Sequence, residues 1–148
     1  MKVKELMQTK VFTVSQDDPI DRIFFLIHYE RIRHLPVLHR RKIVGIVSDR
    51  DLYKALGPRT GSRSVAQGTE GTRLYVIPKR VRHIMRRGVI TISPEARVGE
   101  AAGLMASRKI GALPVVRGGK LVGIVTSTDL LKTLANLATK LDKLVSTT

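Results

Sequence analysis

Residues 45–52 read GIVSDRDL and residues 123–130 read GIVTSTDL. Each phrase holds an apolar run, a glycine, a hydroxyl residue and, three places on, an aspartate. Carried outward at the same offset of 78 positions, residues 3–56 align with 81–134 without a gap, and 19 of those 54 pairs are identical. Met7/Met85, Thr13/Thr91, Leu35-Pro36-Val37/Leu113-Pro114-Val115 and Asp51/Asp129 are among them. A gapless match of this length marks a duplicated structural unit. Two copies are too few for a solenoid, so a pair closing around a pseudo-twofold axis is expected.

Each copy can be read locally. Val11-Phe12-Thr13-Val14 is a short β-rich run, and Ser15 to Pro19 ends it, with Pro19 suited to a helix start. Ile20, Ile23, Phe24 and Ile27 then fall on one helical stripe, matched by Val98, Ala101, Ala102 and Met105. Leu35 to Leu38 is a strand whose proline predicts an edge or a strand beginning. Arg40-Arg41 and Gly118-Gly119 are two-residue hairpin turns. Ile43 to Val47, apolar without alternation, predicts a strand buried on both faces, and a second helix starts near Asp51. The order is β-α-β-β-α, twice: an α/β fold with repeats at 1–56 and 81–134 and a C-terminal helix extension at 135–148. In that extension Leu130, Leu134, Leu137, Leu141 and Leu144 keep heptad spacing, which suits either the helix's own domain or a dimer seam.

The repeated phrase has two compatible readings. Ser48-x-x-Asp51 and Thr126-x-x-Asp129 are capping boxes, with an aspartate short enough to strain the reciprocal bond. The same geometry offers free amides and a positive dipole to a phosphate, and a carboxylate to paired hydroxyls such as those of a ribose. The residues alone leave both open.

Composition narrows the classes. The 148-residue chain is 43% apolar, enough for a core, and lacks cysteine, so disulfides and thiol catalysis are excluded. The N-terminus MKVKELMQTK has no apolar h-region, and no apolar run is long enough for a membrane span. A cytoplasmic protein is expected. Twenty-seven basic residues against twelve acidic ones give +15 and favour anionic partners. The stretch 57–80 is a Gly/Ser/Thr-rich linker. Within 57–87, Arg59, Arg63, Arg73, Lys79, Arg80, Arg82, Arg86 and Arg87 face only Glu70. His28, His39 and His83 show no metal-ligand spacing, and no catalytic motif is present. Asp17-Asp18 read as turn and cap residues.

The doubled order of strand, helix, Leu-Pro-Val strand, Gly-Ile-Val-[Ser/Thr]-x-x-Asp and helix resembles a tandem pair of CBS domains, over roughly 108 residues. The resemblance implies two repeats packed through their sheets as a disc-like module, with two clefts for adenosyl ligands such as AMP, ADP, ATP or S-adenosylmethionine. Asp51 and Asp129 would hold ribose hydroxyls, with Ser48 and Thr126 beside the phosphates or ribose, and Thr13 and Thr91 lining the adenine pocket. The residues leading into Leu-Pro-Val would also face the clefts. The copies diverge there: Arg33-His34 before Pro36 becomes Gly111-Ala112 before Pro114, and Asp49-Arg50 becomes Ser127-Thr128. Phosphate charge would be met mainly by Arg33, His34 and Arg50, giving two unequal sites. The expected function is a non-enzymatic regulatory module with an adenine nucleotide or S-adenosylmethionine as regulatory ligand and no catalytic cofactor. It would form a homodimer and signal to a separate protein partner. Nucleic-acid binding through the 57–87 region is the alternative.

Overall fold

A computed structural model describes residues 1–56 and 79–147. The expected linker, apart from Lys79 and Arg80, lies outside the described residues, as do Arg59, Arg63 and Arg73. The chain forms two compact units: Phe12–Val89, here the first unit, and Met1–Val11 with Ile90–Thr148, the second. The fold is α/β, as expected.

In the first unit, β1 (Val14–Ser15) leads through α1 (Ile20–Glu30) to β2 (His34–His39), β3 (Lys42–Ser48) and α2 (Asp49–Leu56). Pro19 is the residue just before α1. The sheet order is β1-β2-β3, so β2 is central rather than an edge. Pro36 is tolerated there because pairing with β1 begins only at Val37, opposite Val14. The second unit repeats the plan with α4 (Val98–Arg108), β4 (Ala112–Arg117), β5 (Lys120–Thr126) and α5 (Ser127–Ser146). Its first strand shrinks to a single bridge, Ile92 to Val115.

Both hairpins close over two residues with positive φ: 52° and 67° at Arg40 and Arg41, 57° and 80° at Gly118 and Gly119. Only the second pair has the residue type that takes this conformation without strain. Two expectations from apolar pattern are corrected. Phe24 and Ala102 are exposed; Leu26 and Leu104 pack against the cores in their place. In β3 only Gly45 and Val47 are buried, while Ile43, Val44 and Ile46 are half-covered, so the strand is not buried on both faces.

The segment that opens each repeat packs against the core of the other repeat. Residues 1–8 lie on the second unit, where Val3 and Lys4 amides donate to the Ala96 and Pro94 carbonyls, and Gln8 and Ile124 exchange bonds of 2.9 and 3.0 Å. Residues 79–86, with the one-turn helix α3 (Val81–Ile84), lie on the first unit through equivalent bonds: Val81 to Asp18, Arg82 to Gln16, and Arg86 with Ile46 at 2.9 and 3.0 Å. Ionic contacts match too. Glu95 takes the Lys2 and Lys4 ammonium groups at 3.2 Å; Asp17 pairs with Arg82, and its carbonyl accepts from the Arg80 guanidinium. Asp17 is therefore a strap anchor, beyond the turn role its sequence context suggests. Asp18 does serve the turn, accepting from the Ser15 amide at 2.8 Å.

Each strap lies so close to the sheet that a glycine must face it. A Cβ on Gly45 would stand 2.7 Å from Met85 Sδ and 2.9 Å from the Arg86 carbonyl oxygen; on Gly123 it would stand 2.7 Å from Met7 Sδ and 2.9 Å from the Gln8 oxygen. Gly45→Ala or Gly123→Ala is predicted to destabilise the protein by about 1–3 kcal/mol, because the clash includes backbone that is pinned by hydrogen bonds. Thermal unfolding checks this; an unchanged midpoint in both variants would contradict the close approach.

Candidate functional site: two aspartates at helix starts

The repeated phrase ends β3 in one unit and β5 in the other and starts the following helix. In the first unit the Ser48 hydroxyl accepts from the Asp51 amide at 3.2 Å, and Asp51 Oδ2 accepts from the Ser48 amide at 2.9 Å and its hydroxyl at 3.0 Å. In the second unit Thr126 and Asp129 repeat this with 3.3, 2.8 and 3.0 Å. The capping boxes are thus complete. The strain expected from the short aspartate is absent, for its reciprocal bonds have ordinary lengths.

One carboxylate oxygen in each site is left facing the strap. Asp51 Oδ1 accepts from Arg86 Nε at 3.1 Å, and Asp129 Oδ1 accepts from Gln8 Nε2 at 3.1 Å. Residues 8 and 86 are themselves a repeat pair, delivered by exchanged straps. Sequence reasoning missed both as site residues, since Arg86 was read only as part of a basic stretch. The signal that could have found them is their place directly after the repeated methionines Met7 and Met85.

Sheet register gathers most of the remaining candidates at the same end. His34 pairs with Ser48, and Ala112 with Thr126. Pro36 and Pro114 are buried one step inward. Thr13 immediately precedes β1 and is level with Pro36, while Thr91 precedes Ile92, whose amide donates to the Pro114 carbonyl at 3.0 Å. Arg33 reaches Asp49 Oδ2 at 3.4 Å, and the Arg33 carbonyl accepts from the Asp49 amide. Arg50 and Thr128 are exposed on the first turns of α2 and α5. Among the described residues no His/Asp/Glu cluster has the makings of a metal site, and no helix is long and apolar enough to cross a membrane.

The electrostatics of the two sites differ. In the first unit Arg33 and Arg86 pair with Asp49 and Asp51, and Arg50 stands exposed on the first turn of α2. At the matching positions the second unit has Gly111, Thr128 and Gln8, with Asp129 as the charged member. Part of the basic 79–87 stretch is also spoken for: Arg82 and Arg86 are paired with Asp17 and Asp51. That reduces the charge available to a nucleic-acid backbone.

Burial lowers the pKa of His34 below its ordinary value of 6.5; Asp49 and Asp51 pull it back up and Arg33 pushes it further down. At neutral pH His34 therefore offers a hydrogen bond rather than a charge. A depressed histidine leaves stability intact above 6.5, and that stability is lost as pH falls, because the unfolded chain takes up the proton first. Wild type is accordingly predicted to lose more thermal stability than His34→Gln between about pH 7.5 and 5.5. Parallel stability curves for the two proteins would contradict a half-buried imidazole that resists protonation.

Comparison with known proteins agrees with this architecture. The sequence matches the CBS domain family over residues 3–58 and 81–136. A CBS domain-containing protein of Dictyostelium discoideum is 34% identical over 134 residues, spanning 89% of this chain and 90% of its own. The inosine-5'-monophosphate dehydrogenase of Korarchaeum cryptofilum is 38% identical over 120 residues, which are 80% of this chain but 21% of that enzyme. Among solved structures, the CBS domain pair of protein MJ0100, in complex with 5'-methylthioadenosine and S-adenosyl-L-methionine, superposes with a TM-score of 0.75 at 27% identity, covering 92% of this chain and 97% of that one. With both repeats matched and both helix-start aspartates in place, this chain belongs to the CBS domain family.

Proposed function

We propose that the protein is a regulatory sensor in which each unit binds an adenosyl ligand, the Asp51 and Asp129 carboxylates accepting from the two ribose hydroxyls. The observation that carries this reading is the state of those carboxylates. Each has one oxygen committed to the helix cap and the other held, among the described residues, by a strap side chain alone. The Arg86 side chain is 61% exposed, against 10% for Asp51. An ion pair with so exposed a partner contributes no more than about 1 kcal/mol, so a ligand hydroxyl can displace or share it at small cost. Support also comes from the similar MJ0100 pair, whose complex holds two adenosyl compounds. AMP, ADP, ATP and S-adenosylmethionine are the ligand candidates, with Thr13 and Thr91 beside the base. Binding would shift the protein between states only through its differential affinity for them, and the output would pass to a separate protein.

Calorimetry tests the ligand sites. Asp51→Ala and Asp129→Ala are each predicted to abolish one adenosyl-binding event. Each also loses a capping bond, at about 1 kcal/mol, so circular dichroism well below the melting range should confirm the fold. Wild-type titrations in both variants would remove the assignment. Nucleic-acid binding, the alternative, predicts instead an affinity that falls steeply with salt and ignores both aspartates.

The reading includes a homodimer. Leu134, Leu137, Leu141 and Leu144 on α5 are 61%, 49%, 61% and 67% exposed, so among the described residues nothing covers the stripe. Their heptad spacing fits an identical helix from a second copy, with apolar positions meeting along one seam. Sedimentation should find wild type at twice the chain mass and Leu137→Glu/Leu141→Glu at the chain mass. Equal masses for the two proteins would contradict the seam.

A further inference from the structure

We infer that the exchanged strap residues sort ligands by charge: Arg86 makes the Asp51 site selective for phosphorylated adenosyl compounds, whereas Gln8 leaves the Asp129 site to adenosyl compounds without a phosphate. This rests on the adenosyl reading and adds a specificity determinant to it. The two residues hold the same place in the fold. Each sits at the end of a strap, has its backbone paired to β3 or β5, and donates to the same carboxylate oxygen at 3.1 Å. Geometry is shared, so the difference lies in the chemistry of the side chain.

When a ribose hydroxyl takes over Asp51 Oδ1, the guanidinium keeps a full positive charge and donors free to turn to an anion on the same ligand. Arg86 thus changes partner from carboxylate to phosphate, and the ligand's charge replaces the one lost. Released from Asp129, Gln8 has only a neutral amide to offer. Its carbonyl can accept a hydrogen bond from a ribose hydroxyl, and its NH2 can give a phosphate dianion a neutral hydrogen bond but no charge. A phosphate brought next to Asp129 would meet a like charge with no cation from the positions that supply Arg33, Arg50 and Arg86 in the first unit. Repulsion and missing attraction together make the discrimination, since specificity is a difference between two affinities.

The test measures each site alone by calorimetry, using AMP and adenosine as probes. The Asp129→Ala background reports the first unit, and Asp51→Ala reports the second. In the first background, adding Arg86→Gln is expected to lower the ratio of AMP to adenosine affinity about tenfold, the loss of one charge-assisted contact. In the second, adding Gln8→Arg is expected to raise that ratio. Ratios unmoved by both substitutions, with adenosyl binding still abolished by loss of the matching aspartate, would overturn the sorting role and leave the sites standing. If the parent protein binds neither probe, the adenosyl reading falls and the sorting role falls with it.

Discussion

The structure depends on a close backbone approach at two glycines. At Gly45 and Gly123 the strap carbonyl comes to within 2.9 Å of where a side chain would begin. That approach lets Arg86 and Gln8 pair with Ile46 and Ile124 as an added edge of each sheet. Edge pairing fixes the direction of the strap, and the direction places one side chain over the aspartate three residues beyond the strand's end. Remove the glycine's bareness and the strap must lift, taking Arg86 or Gln8 away from the carboxylate with it. The Gly-Ile-Val-[Ser/Thr]-x-x-Asp phrase therefore encodes a close contact, a strand and a helix cap at once.

Duplication supplies the frame twice and then allows the copies to differ. Contacts repeat between the units: strap amides go to the same carbonyl positions, Lys2 and Lys4 meet the Glu95 carboxylate where Arg82 meets that of Asp17 and Arg80 its carbonyl, and the same three capping bonds recur. What differs is the set of side chains around the carboxylate. Arginine becomes glycine, threonine or glutamine, and His34 becomes Ala112. Fold stability resides in the shared contacts, so the variable positions can change charge without undoing the packing. That separation is what lets one architecture offer two unlike sites.

Much of this was legible in the sequence because it is local. The offset of 78 gave the two-copy α/β plan, Arg40-Arg41 and Gly118-Gly119 marked the hairpins, and the hydroxyl-to-aspartate spacing marked the caps. The straps were not legible. A segment that opens a repeat has the same local pattern whether it packs on its own repeat or on the other, and Asp17 finds Arg82 across 65 positions. Phe24 misled because helical spacing counts apolar residues without knowing the width of the buried stripe; it instead stacks on His28 at 4.0 Å on the exposed face. The leucine spacing on α5 fits a seam or packing within the chain equally well, and the exposure of Leu134, Leu137, Leu141 and Leu144 is what the dimer proposal rests on.

Crystals grown with AMP and 5'-methylthioadenosine together test the central claim most directly, because both aspartates are observed at once. The account predicts ribose hydroxyls on Asp51 and Asp129, with Arg86 turned from Asp51 towards phosphate. Density for either compound elsewhere, with both carboxylates still closed by Arg86 and Gln8, would contradict it.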